Sequence, residues 1–273
     1  MGRLLLKLVG RGKKVLFHQT DLIDLESAKM LLENPGVAVK IANRLGEPIE
    51  KALQRLPAGL HEKVGDITRA ALTRALNTAV LTLDDAPHKA ASNLWHKIGV
   101  AATGGAGGFF GLAALAAELP VSTVIMLRSI ADIARSEGED IRSIESRMAC
   151  VEVFALGGSR PGDDAAEVGY FAVRAMLAQS VTEAIKYISG RGILEEGTPV
   201  LMRLIMKIAE RFSIQVSQKV VAQSVPAIGA AGGAIVNLIF IDHFQDMARG
   251  HFTVRRLERK YGEEEVRREY ERI

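Results

Sequence analysis

Two uncharged, glycine-rich stretches of nearly matching pattern limit what this chain can fold into. Residues 98–117 read IGVAATGGAGGFFGLAALAA and residues 220–241 read VVAQSVPAIGAAGGAIVNLIFI. Each is long enough for a helix of about 30 Å. With Val100 set opposite Val225 they share V-x-A-x-G-x-A-G-G. Ala102 then falls on Ala227, Gly104 on Gly229, Gly107 on Gly232 and Gly108 on Gly233. Gly104 and Gly108, Gly107 and Gly111, and Gly229 and Gly233 stand four residues apart, which gives a smooth strip along one helix face. An interior glycine costs roughly 1 kcal/mol of helix propensity relative to alanine, so close packing at these seven glycines is the expected compensation. Two arrangements fit: a tightly packed hairpin in the core of a soluble protein, or a membrane-embedded pair of spanning length. Half of the residues in the two stretches are only Gly or Ala, which favours the first.

Composition narrows the class further. A chain of 273 residues makes one large domain or two modest ones. Hydrophobic residues reach 48% with aromatics at only 5%, which favours helices of Ala, Leu, Ile and Val over a β-sandwich. A net charge of +3 does not call for nucleic acid. The one cysteine, Cys150, rules out an intrachain disulfide or a cysteine metal cluster and reads as a small core residue in a reducing compartment. Lys7 interrupts the apolar start, so no secretory signal is expected, and Leu6 breaks the myristoylation pattern. The expected location is cytoplasmic, peripherally or partly membrane-associated.

Taken in order, the chain opens with a basic, apolar arm, residues 1–20, carrying Arg3, Lys7, Arg11, Lys13 and Lys14 and no acid before Asp21. Such an arm suits either an anionic lipid surface or a solvated tail. Helical patterning starts at Asp21, with Asp24 as a cap and a stop at Asn34-Pro35-Gly36. Helices are expected over 37–45, from Pro48 to Pro57, and over 60–83, where Val64, Ile67, Ala71, Leu72, Ala75 and Leu76 share a face. Asp84 to Pro87 reads as a loop. Glu118-Leu119-Pro120 ends or bends the first glycine-rich run, and a helix continues over 121–135. Gly138 to Asp140 is a turn, followed by helices over 141–156, 165–189 and 199–212. Ser213 then leads into the second glycine-rich helix. The last segment, 263–273, is a charged tail, set off near Gly262.

Candidate chemistry is sparse. The cluster Gly104-Gly105-Ala106-Gly107-Gly108 fails the dinucleotide pattern G-x-G-x-x-G, because Phe110 stands at its last position, and no phosphate-loop motif occurs. The pseudo-repeat sets Glu118 opposite His243 and Ala117 opposite Asp242, with Asp246 one turn further on. Convergence of Glu118, Asp242, His243 and Asp246 would supply acid–base groups or oxygen and imidazole ligands. The plainer reading is that polar groups at the end of an apolar helix mark where it meets water. No metal or cofactor is expected.

The motifs ATGGAGGFFGLAALAAELP from Ala102, GED at Gly138 to Asp140 and VPAIGAAGGAIVN from Val225 resemble the bacterial EcsC protein family. The likeness continues through Ala248, Phe252, Leu257 and Tyr261-Gly262, over roughly residues 60–262. The family is named for a gene neighbouring an ABC exporter. The resemblance therefore implies a membrane-linked setting and carries no catalytic residue. The expectations are an all-α, single multi-helix domain over 21–262, with the two Gly/Ala-rich helices central and packed as a pseudo-repeat. The expected role is a non-enzymatic accessory protein contacting membrane lipid or an integral membrane protein. The alternatives are a membrane-surface enzyme using the Glu118 and His243 region, and a soluble helical scaffold.

Overall fold

The computed structural model describes residues 17–33, 36–45, 58–83, 111–157, 169–191, 198–224 and 229–273. Among these there is no strand. The helices are α1 (Gln19–Leu32), α2 (Val37–Leu45), α3 (Ala58–Thr82), α4 (Gly111–Ser136), α5 (Ile144–Glu152), α6 (Tyr170–Arg191), α7 (Pro199–Ser224), α8 (Gly229–Tyr261) and α9 (Glu263–Arg272). A 3-10 turn, Val153–Ala155, follows α5 directly. One hydrophobic core runs through all of them, so the protein is an all-α single domain.

The 33-residue α8 is the axis of the fold. It packs on α1, α2, α4, α7, α9 and the 3-10 turn. On the other side α3 lies against α4, α5 and α7. The apolar face read from the sequence of α3 is the buried one: Val64, Ala71, Leu72, Ala75 and Leu76 lie in the core, while Lys63, Arg69 and Arg74 are exposed.

Several expectations are corrected. The second glycine-rich stretch is shared between two helices, with residues 225–228 outside the described residues. Residues up to Ser224 finish α7, and a new helix starts at Gly229. Of the first stretch, residues 98–110, with Gly104, Gly107 and Gly108, lie outside the described residues. Gly111 opens α4, and that helix runs through Pro120 to Ser136 rather than ending there. Proline deprives the carbonyl one turn back of its donor, but Leu115 and Leu119 before it and Met126, Leu127 and Ile130 after it are all core residues, and their burial outweighs the loss. Helix α1 starts at Gln19, not Asp21, and Asp24 is an interior residue paired with Arg256 at 2.7 Å. Phe17, assigned to the arm, stacks on Tyr261 with ring centroids 4.2 Å apart. The segment from Pro48 to Pro57, the loop at Asp84 to Pro87, and the basic residues Arg3, Lys7, Arg11, Lys13 and Lys14 fall outside the described residues.

Helices α4 and α8 do pack against each other, and among the described glycines the closest backbone approaches are at Gly157 and Gly250. A Cβ on Gly233 would meet no described atom within 4 Å. One on Gly250 would lie 2.6 Å from Leu32 Cγ and 3.0 Å from the Ala28 carbonyl, which is where α1 crosses α8. Gly250→Ala is therefore expected to lower stability by about 1–3 kcal/mol in urea unfolding. The loss should shrink in a Leu32→Ala background, where the nearest obstructing atom is gone.

Candidate functional site

Helix α7 continues past Phe212, and that extension creates a polar stripe in the core. Arg211, Gln215 and Lys219 follow at four-residue spacing, so they share one helix face, and all three are buried. Each reaches a different element. Arg211 Nε donates to the Ala155 carbonyl at 2.8 Å. Gln215 Nε2 donates to the Leu156 carbonyl at 2.8 Å. Lys219 Nζ donates to Glu118 Oε1 at 2.8 Å and stands 5.0 Å from the centroid of the Phe240 ring. Lys219 is only 1% exposed. Its charge is thus held by one carboxylate from α4 and one aromatic face from α8, with the stem packed along apolar surface.

The expected cluster of Glu118, Asp242, His243 and Asp246 is divided among different partners. Glu118 belongs to Lys219. Asp246 accepts from Lys40 of α2 at 3.0 Å and from Arg249 at 3.1 Å. Asp242 is exposed. His243 is fully buried beside Gln215, whose Nε2 lies 3.3 Å from His243 Nε2. Burial, and secondarily the Lys40 charge, pushes its imidazole down to about 3, so the ring is neutral. Its Nδ1 and the Gln215 Oε1 are buried without a hydrogen-bond partner among the described residues. Among the described residues no group of three or more His, Cys, Asp or Glu is placed to hold a metal ion. Cys150 is buried and its thiol is pushed up by burial, which suits a packing residue.

A second polar centre lies further along α8, at the junction with α5 and α6. Tyr170 Oη is 2.9 Å from His251 Nδ1, and both side chains are buried. Arg174 donates to both oxygens of Glu258, at 2.5 and 3.1 Å. Arg255 donates to both oxygens of Glu139, at 2.8 and 3.2 Å, and Arg259 pairs with the same carboxylate. Ser146 Oγ adds a fourth donor at 2.6 Å. Burial alone would push the Glu139 carboxyl up. The hydrogen bonds from Arg255 and Ser146 and the charges of Arg255 and Arg259 outweigh it and hold the group below the usual carboxylate range. In the sequence, Gly138 to Asp140 reads as a turn and as one of the motifs that carry the family resemblance, with no role for the Glu139 side chain. The available signal was an acid beside a turn glycine, and nothing local shows that its partners lie 116 residues away.

A model of the EcsC protein family matches residues 27–257. The chain belongs to the EcsC protein family. No curated protein and no solved structure matches it. The EcsC match takes in the polar stripe of α7, the Glu139 turn and both buried histidines of α8. The basic arm and α9 lie outside it.

Proposed function

We propose that this EcsC protein is a non-enzymatic accessory protein held at the cytoplasmic face of a membrane, with anionic lipid as its contact. The observation that carries the reading is the outer face of α1. Ile23 and Met30, seven residues apart and so on one side of the helix, are 55% and 67% exposed. They follow directly on an arm whose sequence combines LLLKLV and VLF with five cations and no acid. Apolar side chains next to clustered Lys and Arg suit adsorption at an anionic interface. Among the described residues no helix is long and apolar enough to cross a membrane, which favours surface contact over spanning. The enzyme reading through Glu118 and His243 receives less support, because each is engaged with a different structural partner.

Flotation with vesicles tests this. The full chain is expected to float with phosphatidylglycerol-containing vesicles at low salt, and to be released from them at high salt as surface charges are screened. It should float poorly with purely phosphatidylcholine vesicles. Removal of residues 1–16, or Ile23→Ser with Met30→Ser, should reduce flotation several-fold. Equal flotation of all variants would discard the reading. Flotation only with vesicles carrying native membrane proteins would replace lipid by an integral membrane partner.

A further inference from the structure

Helix α9 is set off from α8 by Gly262, whose φ of 92° is a left-handed conformation that a side chain disfavours. Packing does not demand the glycine, since a Cβ there would meet no described atom within 4 Å. Of the ten residues of α9, Val266 and Tyr270 are the buried ones. The Tyr270 ring fills a slot made by two other helices. Its centroid lies 5.1 Å from that of Phe171 and 5.9 Å from that of Tyr170, both on α6. Lys29 of α1 stands 5.2 Å from the ring centroid and donates to the Tyr270 carbonyl at 3.0 Å. Arg267 lies over the Phe171 ring at 5.6 Å. Each of the three arginines of α9 is paired inside the helix, Arg267 with Glu271, Arg268 with Glu264 and Glu265, and Arg272 with Glu269. The sequence across the hinge, RRLERKYGEEEVRREYER, consists for the most part of strong helix formers, with Gly262 as the break.

We propose that the slot for Tyr270 is an interface for a second copy of this chain, and that two chains exchange α9 about Gly262. In the closed monomer α9 folds back onto its own α6 and α1. In the exchanged form Gly262 turns helical, α8 and α9 join into one rod, and the rod delivers its Tyr270 to the slot of the other copy. The arginine pairs of α9 travel with it, because they are internal to the helix. Lys260 and Arg259 stay on Asp21 and Glu139, because they belong to α8. Straightening the hinge also brings Arg259 beside Glu263 and Lys260 beside Glu264, each one helical turn apart. The contacts at the slot are the same in both forms, so the hinge and the protein concentration set the balance. A tethered α9 meets its own slot at an effective concentration on the order of 1 mM, which keeps the dilute protein monomeric. A side chain at position 262 moves the balance towards exchange. This inference does not depend on the membrane reading.

Gly262→Ala in the full chain tests it. Alanine disfavours the left-handed hinge and favours the helical one, together by roughly tenfold or more per chain. Two chains open for each dimer, so dimerisation should strengthen about a hundredfold. Sedimentation should find Gly262→Ala dimeric at about 10 µM, where the wild type is monomeric. Adding Tyr270→Ala, which empties the slot, should return it to a monomer. A short bismaleimide reads the connection directly. Phe171→Cys with Arg267→Cys sets two thiols across the slot, and Cys150 is buried away from the reagent. With Gly262 in place the link should form within one chain, and with Gly262→Ala between two. A Gly262→Ala protein that stays monomeric overturns the proposal, as does a dimer that is linked within each chain or that survives Tyr270→Ala. The cysteine pair on the unaltered hinge covers the case in which Gly262→Ala folds poorly. Its share of links between chains should rise as the protein is concentrated towards about 1 mM, and a share that does not change with concentration overturns the proposal by itself.

Discussion

Replacing Glu139 by alanine should remove about 3 kcal/mol of folding stability, the lower end for breaking a buried ion pair, because it leaves half-buried Arg255 without its carboxylate. The side chain accepts four hydrogen-bonding partners' worth of contact, from Arg255 twice, from Arg259 and from Ser146. The urea midpoint should fall with little change in slope. Adding Arg255→Met should recover a large part of the loss, since the unpaired cation is then gone. The pH dependence is a second check. The Glu139 carboxyl is held below its ordinary range in the folded state, so its contribution is complete above that range and fades as pH falls through the folded-state value. The gap between wild type and Glu139→Ala should close correspondingly in acid.

Gly157→Ala should cost about 3–4 kcal/mol, for two reasons that add. The residue has φ of 71°, in the left-handed region that a side chain disfavours. A Cβ there would also sit 2.6 Å from Cε1 and Nε2 of His243 and 2.7 Å from the sulfur of Met247. The thioether can move aside, but the His243 ring is fully buried between Gln215 and Phe244 and has nowhere to go. Gly138→Ala separates the two causes. That glycine has φ of 81°, yet its nearest neighbour would be an Arg259 nitrogen at 3.6 Å. It should lose only the backbone part, about 1–2 kcal/mol. In a double-mutant cycle, His243→Ala should relieve Gly157→Ala by about 1 kcal/mol or more.

What could be read from the chain before the coordinates is what local chemistry decides. The bounds of α2, the buried face of α3, the turn at Gly138 and the break at Gly262 all follow from apolar spacing and from glycine. Tertiary packing decides the rest. Propensity makes Pro120 an end or a bend, and the helix runs through it because both sides of it are core. The α7 stripe was present in the sequence as Arg211, Gln215 and Lys219. Stopping that helix at Phe212 cut the stripe after its first member and hid the spacing. The partners of Glu118, Glu139 and Asp21 lie 101, 116 and 239 residues away. No window of sequence pairs them. His243 drew notice as a polar residue at the end of an apolar run. It is instead a neutral ring inside one continuous helix, locked against Gly157 and Gln215.

The attachment of α1 to α8 has a consequence for how the molecule is made. Lys260 and Tyr261 both donate to Asp21 at 2.6 Å, and Lys29 donates to the Tyr270 carbonyl at 3.0 Å. Helix α1 therefore docks on residues synthesised as many as 239 positions after it. At roughly 5–20 residues per second it waits on the order of 10–50 s for its seat to be synthesised. Throughout that interval the face of α1 that later meets α8 stays uncovered.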